Sequence, residues 1–305
     1  MNREYDVVII GGGPAGLTAG IYTARDRLSS LLIEKGIIGG NINNTDFIDN
    51  YPGFPQGISG FELTQLMHQQ AIKFGLESIP AEVISIETKG EKKVIKTTDG
   101  DFTARVVIIA GGSERVKLGI PGEKEFTGKG VSYCATCDGP FFTDKPVAVI
   151  GGGDTALYEA LHLTRFASRV TVIHRRNQLR ATAIVQEKAH AEPKITFLLN
   201  TIVKAIEGKN FVQKLKLQDV KTDEESELEV SGVFMAIGLR PNTAYLSNIL
   251  PLDEQGHIIT DKQMMTKIPG IFAAGDIRSG SIRQVVAAAG DGAIAAINAK
   301  KFIYE

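Results

Sequence analysis

The feature that most limits what this chain can fold into is an internal repeat. Asp6-Val7-Val8-Ile9-Ile10 runs into Gly11-Gly12-Gly13-Pro14-Ala15-Gly16, and Pro146-Val147-Ala148-Val149-Ile150 runs into Gly151-Gly152-Gly153-Asp154-Thr155-Ala156, an offset of 151 − 11 = 140 residues. Each apolar run is short and rich in Val and Ile, the pattern of a strand buried on both faces of a parallel sheet, and each leads into a segment with helical periodicity. Leu31-Leu32-Ile33 and Val170-Thr171-Val172-Ile173 then read as second strands. Two βαβ units are predicted. In such a unit the first glycine permits the tight turn and the second lets a pyrophosphate approach the backbone. The third position lets the helix pack closely on the strand, and phosphate sits at the positive helix N-terminus. The chain's 33 glycines among 305 residues exceed the usual ~7% and cluster at such turns.

The residues just after each second strand separate the two sites. Glu34 lies 34 − 11 = 23 residues after Gly11, where a carboxylate can accept hydrogen bonds from both hydroxyls of an adenosine ribose. At the same offset the second copy has His174-Arg175-Arg176, with Arg180 one turn further on. A carboxylate there would repel a 2′-phosphate, whereas guanidinium groups bind it with bidentate, charge-assisted bonds. The first site is expected to hold FAD or NAD, and the second NADPH. A third signal, Ile268-Pro269-Gly270-Ile271-Phe272-Ala273-Ala274-Gly275-Asp276, reads as a short strand entering a Gly-Asp turn, followed by a small-residue helix from Val285 to Ala299. An acid at such a turn can bond a ribityl hydroxyl or cap the turn.

Composition excludes several classes. With 34 Lys+Arg against 35 Asp+Glu the net charge is −1, so there is no electrostatic footprint for nucleic acid or an anionic membrane. The 43% hydrophobic and 23% charged content is that of a globular chain of about two domains, neither disordered nor fibrous. The N-terminal MNREYDVVII lacks the pattern of a signal peptide, and the uncharged stretch Val7 to Ala24 reads as strand, loop and helix rather than a membrane span. A cytoplasmic setting is expected. The two cysteines, Cys134 and Cys137, are three apart, which excludes a secreted disulfide framework and leaves a local redox pair or a metal pair.

Together these residues resemble the bacterial-type low-molecular-weight thioredoxin reductases of the pyridine nucleotide-disulfide oxidoreductase superfamily, from Asp6 to about Phe302. The most specific stretch, Val131-Ser132-Tyr133-Cys134-Ala135-Thr136-Cys137-Asp138-Gly139, is similar to that family's active-site signature. Gly151 to Ala156 with His174, Arg175, Arg176 and Arg180 resembles its NADPH site, and Gly275-Asp276 with Arg283-Gln284 its flavin-contacting segment. The resemblance implies two Rossmann-like, three-layer ββα domains: an FAD domain over 1–113 and 243–305, and an inserted NADPH domain over 114–242. It implies FAD contacts at Gly11, Gly13, Pro14, Ala15, Gly16, Glu34, Lys35, Gly39, Gly40, Asn41, Asn50, Val83, Ala110, Gly111, Gly275, Asp276, Arg283, Gln284 and Val285. NADPH contacts are implied at Gly151, Gly153, Asp154, Thr155, His174, Arg175, Arg176, Arg180, Ile237 and Gly238. The family's Gly-Gly-Gln appears here as Gly39-Gly40-Asn41, and its Ala-Thr-Gly as Ala110-Gly111-Gly112.

The chemistry so implied passes hydride from NADPH to FAD and then electrons to a Cys134–Cys137 disulfide. Cys137 would face the flavin, Cys134 would attack the disulfide of thioredoxin or a thioredoxin-like partner, and Asp138 would be the general acid/base. Because Cys137 precedes Gly151 by 151 − 137 = 14 residues, the cysteines belong with the NADPH domain. Family members alternate nicotinamide and disulfide at the flavin by rotating one domain about linkers at 111–114 and 238–242. A homodimer is also implied. The alternatives are a different thioredoxin-like, glutaredoxin-like or peroxiredoxin partner, another electron partner for the flavin, or a zinc site completed across a dimer, for which the five histidines show no paired spacing. Phe141-Phe142 reads as core or interface, and Asp223 to Glu227 as a solvated hairpin turn.

Overall fold

The computed structural model describes residues 3–45, 47–246 and 248–305. The chain divides into two compact units, Met1–Glu114 with Arg240–Glu305, and Arg115–Leu239.

In the first unit Arg3–Ile10 is a central strand, paired in parallel with Ser30–Glu34 on one side and Gly100–Ile109 on the other. Glu77–Pro80 adds beyond Ser30–Glu34, and Ile271–Ala273 joins Gly100–Ile109, both in parallel. Val7 and Ile9 pack among Leu17, Leu63 and Ala295 of the helices Pro14–Arg25, Gly60–Lys73 and Val285–Tyr304. Val8 and Ile10 point the other way, toward Ile86 and Ile95 of the antiparallel strands Val83–Lys89 and Lys92–Thr97. A strand covered on both faces has no solvent side, which is why the run shows no polar alternation.

The second unit repeats the plan. Pro146–Ile150 is flanked in parallel by Arg169–Ile173 and then Ile195–Leu198 on one side, and by Gly232–Met235 and then Val131–Ser132 on the other. Val147 and Val149 face Leu157 and Val185 of the helices Asp154–Leu163 and Ala183–Ala191. Ala148 and Ile150 face Val203, Leu215 and Leu217 of the antiparallel sheet Thr201–Gly208, Val212–Asp219 and Glu225–Glu229. Each unit is therefore a Rossmann-like sandwich of helices, parallel sheet and antiparallel strands. The acidic run begins its strand earlier than expected: the turn lies at 220–224, and Glu227 is already in the ladder, where it accepts from Lys214 Nζ at 2.8 Å. Among the described residues no helix is long and apolar enough to cross a membrane.

Candidate functional site

The first glycine turn is shaped by what its residues touch. Gly11 has φ +107°, and a Cβ there would lie 2.4 Å from the Ala110 carbonyl oxygen. A Cβ on Gly16 would lie 1.9 Å from the Gly11 carbonyl oxygen, so only hydrogen fits where the helix Pro14–Arg25 leaves the turn. A Cβ on Gly13 would meet nothing within 4 Å. Bare backbone thus faces open space at one point of the turn, at the start of a helix that opens with Pro14 and Ala15, and this cradle fits a phosphate group. Glu34 ends the second strand with its carboxylate held by two amides: the Gly12 N–H donates at 2.7 Å and the Gly36 N–H at 2.8 Å. Lys35 is at the surface, 4.0 Å from Glu82.

Other expected site residues of the first unit are tied together by hydrogen bonds, Gly39 directly to this turn. The Gly39 N–H donates to the Gly12 carbonyl at 2.8 Å. Gly40 comes next, its direction of substitution 3.5 Å from the Gly13 Cα. The Asn41 amide donates to the Ser113 carbonyl at 2.8 Å, and the Ser113 hydroxyl in turn donates to the Asp276 carbonyl. Asp276 Oδ1 accepts from the Ser281 hydroxyl at 2.7 Å, and the same oxygen of Ser281 accepts the Arg283 N–H at 3.2 Å. The Asn50 amide donates to Gln284 Oε1 at 3.2 Å, just before Val285 opens the last helix. The Gly111 carbonyl accepts from the Asn242 amide at 2.9 Å. Val83 differs from the rest, since its side chain is buried in the core, opposite Thr97 in the antiparallel ladder.

One pair of residues has no counterpart in the motifs. Asp291, buried in the last helix, accepts from Arg278 Nη2 at 2.9 Å and Nε at 2.5 Å, and from the Gly275 N–H at 3.1 Å. This pair, buried at Asp291 and half-buried at Arg278, holds the Gly275-Asp276 turn. Its one trace in the sequence is an isolated charge in the otherwise small and apolar run Val285 to Ala296.

The second turn, Gly151 to Ala156, has the same open point, with nothing within 4 Å of a Cβ on Gly153. Asp154 Oδ1 accepts the Thr182 N–H at 2.8 Å and its hydroxyl at 2.9 Å, and the Gly152 carbonyl accepts the Arg180 N–H at 2.6 Å. These bonds dock the arginine-bearing loop onto the turn. Thr155, Arg175, Arg176 and Arg180 are exposed, as is Gly238 after the half-buried Ile237. His174 behaves differently from the arginines after it. It is 6% exposed, and a Cβ on Gly152 would lie 2.3 Å from its ring. Burial first, and then Arg180, push its pKa down, so the ring is a neutral support beneath the turn.

Cys134 and Cys137 are joined in a disulfide, with Cα atoms 5.3 Å apart. Cys134 caps the short helix Ala135–Asp138, its Sγ accepting the Cys137 N–H at 3.2 Å, and the Asp138 N–H donates to the Cys134 carbonyl at 3.0 Å. Asp138 Oδ2 accepts from the Ser132 hydroxyl at 2.6 Å. Tyr133 donates to Glu123 Oε1 at 3.0 Å, and its phenol is pushed up to about 12, by burial above all and then by that bond. The Phe141-Phe142 pair divides. Phe142 meets Phe234 edge-to-face at 5.3 Å, while Phe141 is 56% exposed.

A dithiol–disulfide pair and an arginine-edged nucleotide turn in one unit, with a carboxylate-edged turn in the other, suit electron transfer from a nicotinamide to a disulfide through a second nucleotide cofactor. Residues 5–292 match the pyridine nucleotide-disulphide oxidoreductase family. The chain belongs to that family. Use of a flavin and of a pyridine nucleotide is what the family implies. A thioredoxin reductase of Bacillus subtilis (strain 168) is 49% identical over 304 residues, which span 99% of this chain and 96% of the relative. The crystal structure of a thioredoxin reductase from Streptococcus pyogenes MGAS5005 is 46% identical with a TM-score of 0.95, covering 100% of this chain and 99% of that one. A thioredoxin reductase from Giardia duodenalis, at 33% identity, has a TM-score of 0.96 over 100% of both chains.

Proposed function

We propose that this chain is an NADPH-dependent thioredoxin-disulfide reductase that carries FAD. The observation that carries the reading is the Cys134–Cys137 disulfide in the unit that also holds the Gly151 turn and its arginines. FAD, when bound, supplies the two-electron carrier between the nicotinamide hydride and the disulfide. The first unit is the FAD domain: Gly13 leaves room for the pyrophosphate, Glu34 bonds the adenosine ribose, and Asp276, steadied by Ser281, Arg278 and Asp291, bonds the ribityl chain. The second unit is the NADPH domain, in which Gly153 and the exposed Arg175, Arg176 and Arg180 take the pyrophosphate and the 2′-phosphate. Within the disulfide, Cys137 serves the flavin side and Cys134 the partner side. Asp138 moves protons to and from the sulfurs as the bond opens and closes.

Thioredoxin, or a thioredoxin-like protein, docks at the exposed Phe141 beside the cysteines. Disulfide and nicotinamide alternate at the flavin by rotation of one domain, with Gly111, Gly112 and Gly238 as hinges. The active species is a cytoplasmic homodimer. The test is turnover of the purified yellow protein with NADPH and a chromogenic disulfide, with and without oxidised thioredoxin. The expected result is strong dependence on thioredoxin that is lost in Cys134→Ser. Fast NADPH oxidation indifferent to thioredoxin would assign another carrier or an oxidase.

A further inference from the structure

Asp138, the proton carrier of the proposed function, has a partner the motif does not announce. The Ser132 hydroxyl donates to Asp138 Oδ2 at 2.6 Å, and the Ser132 oxygen also accepts the Cys134 N–H at 3.1 Å. The Cys134 carbonyl lies 3.4 Å from that hydroxyl. A serine carries a single hydroxyl hydrogen, and the short, charged acceptor takes it in preference to the longer neutral one. Ser132 is 5% exposed and ends the strand Val131–Ser132, in register with the fully buried Phe234. One oxygen anchored to the sheet therefore ties down both the backbone of Cys134 and the carboxylate of Asp138. A buried serine that only satisfied a strand end could place its hydrogen on the Cys134 carbonyl and would need no carboxylate.

We infer that Ser132 is a positioning residue for the thiol–disulfide step, holding the Asp138 carboxylate where it exchanges protons with the cysteine sulfurs. The inference rests on the acid/base role given to Asp138 above. In the step, Cys134 gives its proton to Asp138 and its sulfur attacks one sulfur of the partner's disulfide. The partner's S–S bond breaks, a mixed disulfide forms, and the leaving sulfur takes a proton. Cys137 then loses its proton and attacks Cys134 Sγ, closing the Cys134–Cys137 bond and expelling the second partner sulfur, which takes the second proton. Two electrons and two protons pass from the dithiol to the partner, and no other reactant is consumed. A carboxylate free to swing spends only part of its time within reach of a sulfur, so fixing it raises the rate without changing the reagents.

The test compares Ser132→Thr with Ser132→Val, which match in shape and differ in the hydroxyl, beside Ser132→Ala and Asp138→Asn. The NADPH-reduced holoenzyme is mixed once with oxidised thioredoxin, and oxidation of its dithiol is followed; retained flavin and melting temperature report the fold. Asp138→Asn is expected to slow the step roughly 100-fold, the usual scale of a general acid/base. Ser132→Val and Ser132→Ala are expected to slow it about tenfold while Ser132→Thr stays within about threefold of wild type, and Ser132→Ala placed on Asp138→Asn is expected to add less than about twofold. Equal rates for the Thr and Val variants, or a Ser132→Ala effect that persists in full on Asp138→Asn, would overturn the inference while leaving the reductase reading intact. A wild-type chain that cannot reduce thioredoxin would sink that reading and the inference with it.

Discussion

At Gly11–Gly16 and at Gly151–Ala156 the chain makes one strand-to-helix turn twice. In both copies a Cβ on the first residue would lie 2.4 Å from a carbonyl oxygen, that of Ala110 or of Ala236, and the third residue faces open space. The copies part at two places. Where the first has Gly16, with 1.9 Å between a Cβ and the Gly11 oxygen, the second has the fully buried Ala156. Beneath the turn, Gly12 donates to the Glu34 carboxylate at 2.7 Å, whereas Gly152 lies on the His174 ring. Both backbone turns have a shape that fits a phosphate, and the side chain at the end of the second strand sets the local charge. In the first unit that side chain is a carboxylate, the acceptor that the proposed ribose hydroxyls would need. In the second the supporting ring is neutral and leaves the field to the three arginines.

The contrast is open to direct test, and the largest effect is expected from exchanging the tight position. Gly16→Ala should destabilise the first unit by about 3 kcal/mol and release flavin, because backbone must move to admit the Cβ. The converse Ala156→Gly should lose only about 1 kcal/mol, the helix-propensity term. Urea unfolding and the flavin content of the purified variants would show it, and equal effects at the two positions would erase the difference drawn between the turns. Next in size, Arg176→Ala should raise the KM for NADPH about 10-fold to 100-fold, the scale of one lost charge-assisted bond, and leave the KM for NADH unchanged. A parallel rise for both nucleotides would remove the arginines from phosphate recognition. The smallest effect concerns His174, whose folded-state pKa lies below its ordinary value of 6.5. Its contribution to stability is fully present above that ordinary value and is lost as pH falls below it, because the unfolded chain takes up a proton that the buried ring does not. Urea midpoints between about pH 7.5 and 5.5 should therefore fall less steeply in His174→Asn than in wild type.

Much of the fold is legible in the residues. A strand buried on both faces leaves an unbroken apolar run, so Asp6 to Ile10 and Pro146 to Ile150 can be read directly; the second strand is found at Pro146–Ile150, and the first begins three residues earlier, at Arg3. The last helix is longer than its apolar pattern: expected to Ala299, it continues through Lys300 and Lys301 to Tyr304. Exposed lysines end an apolar pattern without ending a helix. His174 groups with the arginines in the sequence because its neighbours there are charged. Only the packing of its ring beneath Gly152 separates it from them.

The sequence by itself determined the two βαβ units, the opposite charges at the ends of their second strands, and the proximity of two cysteines three residues apart. Those are consequences of local rules of periodicity, turn chemistry and spacing. The tertiary structure decided which polar groups meet across large sequence separations: Asp291 with Arg278 at the Gly275 turn, Asp154 with Thr182, Ser113 with Asp276. Such partners leave little trace in a single chain, since a buried polar residue is assigned by whatever donor or acceptor the fold carries to it, and only the folded backbone fixes that choice.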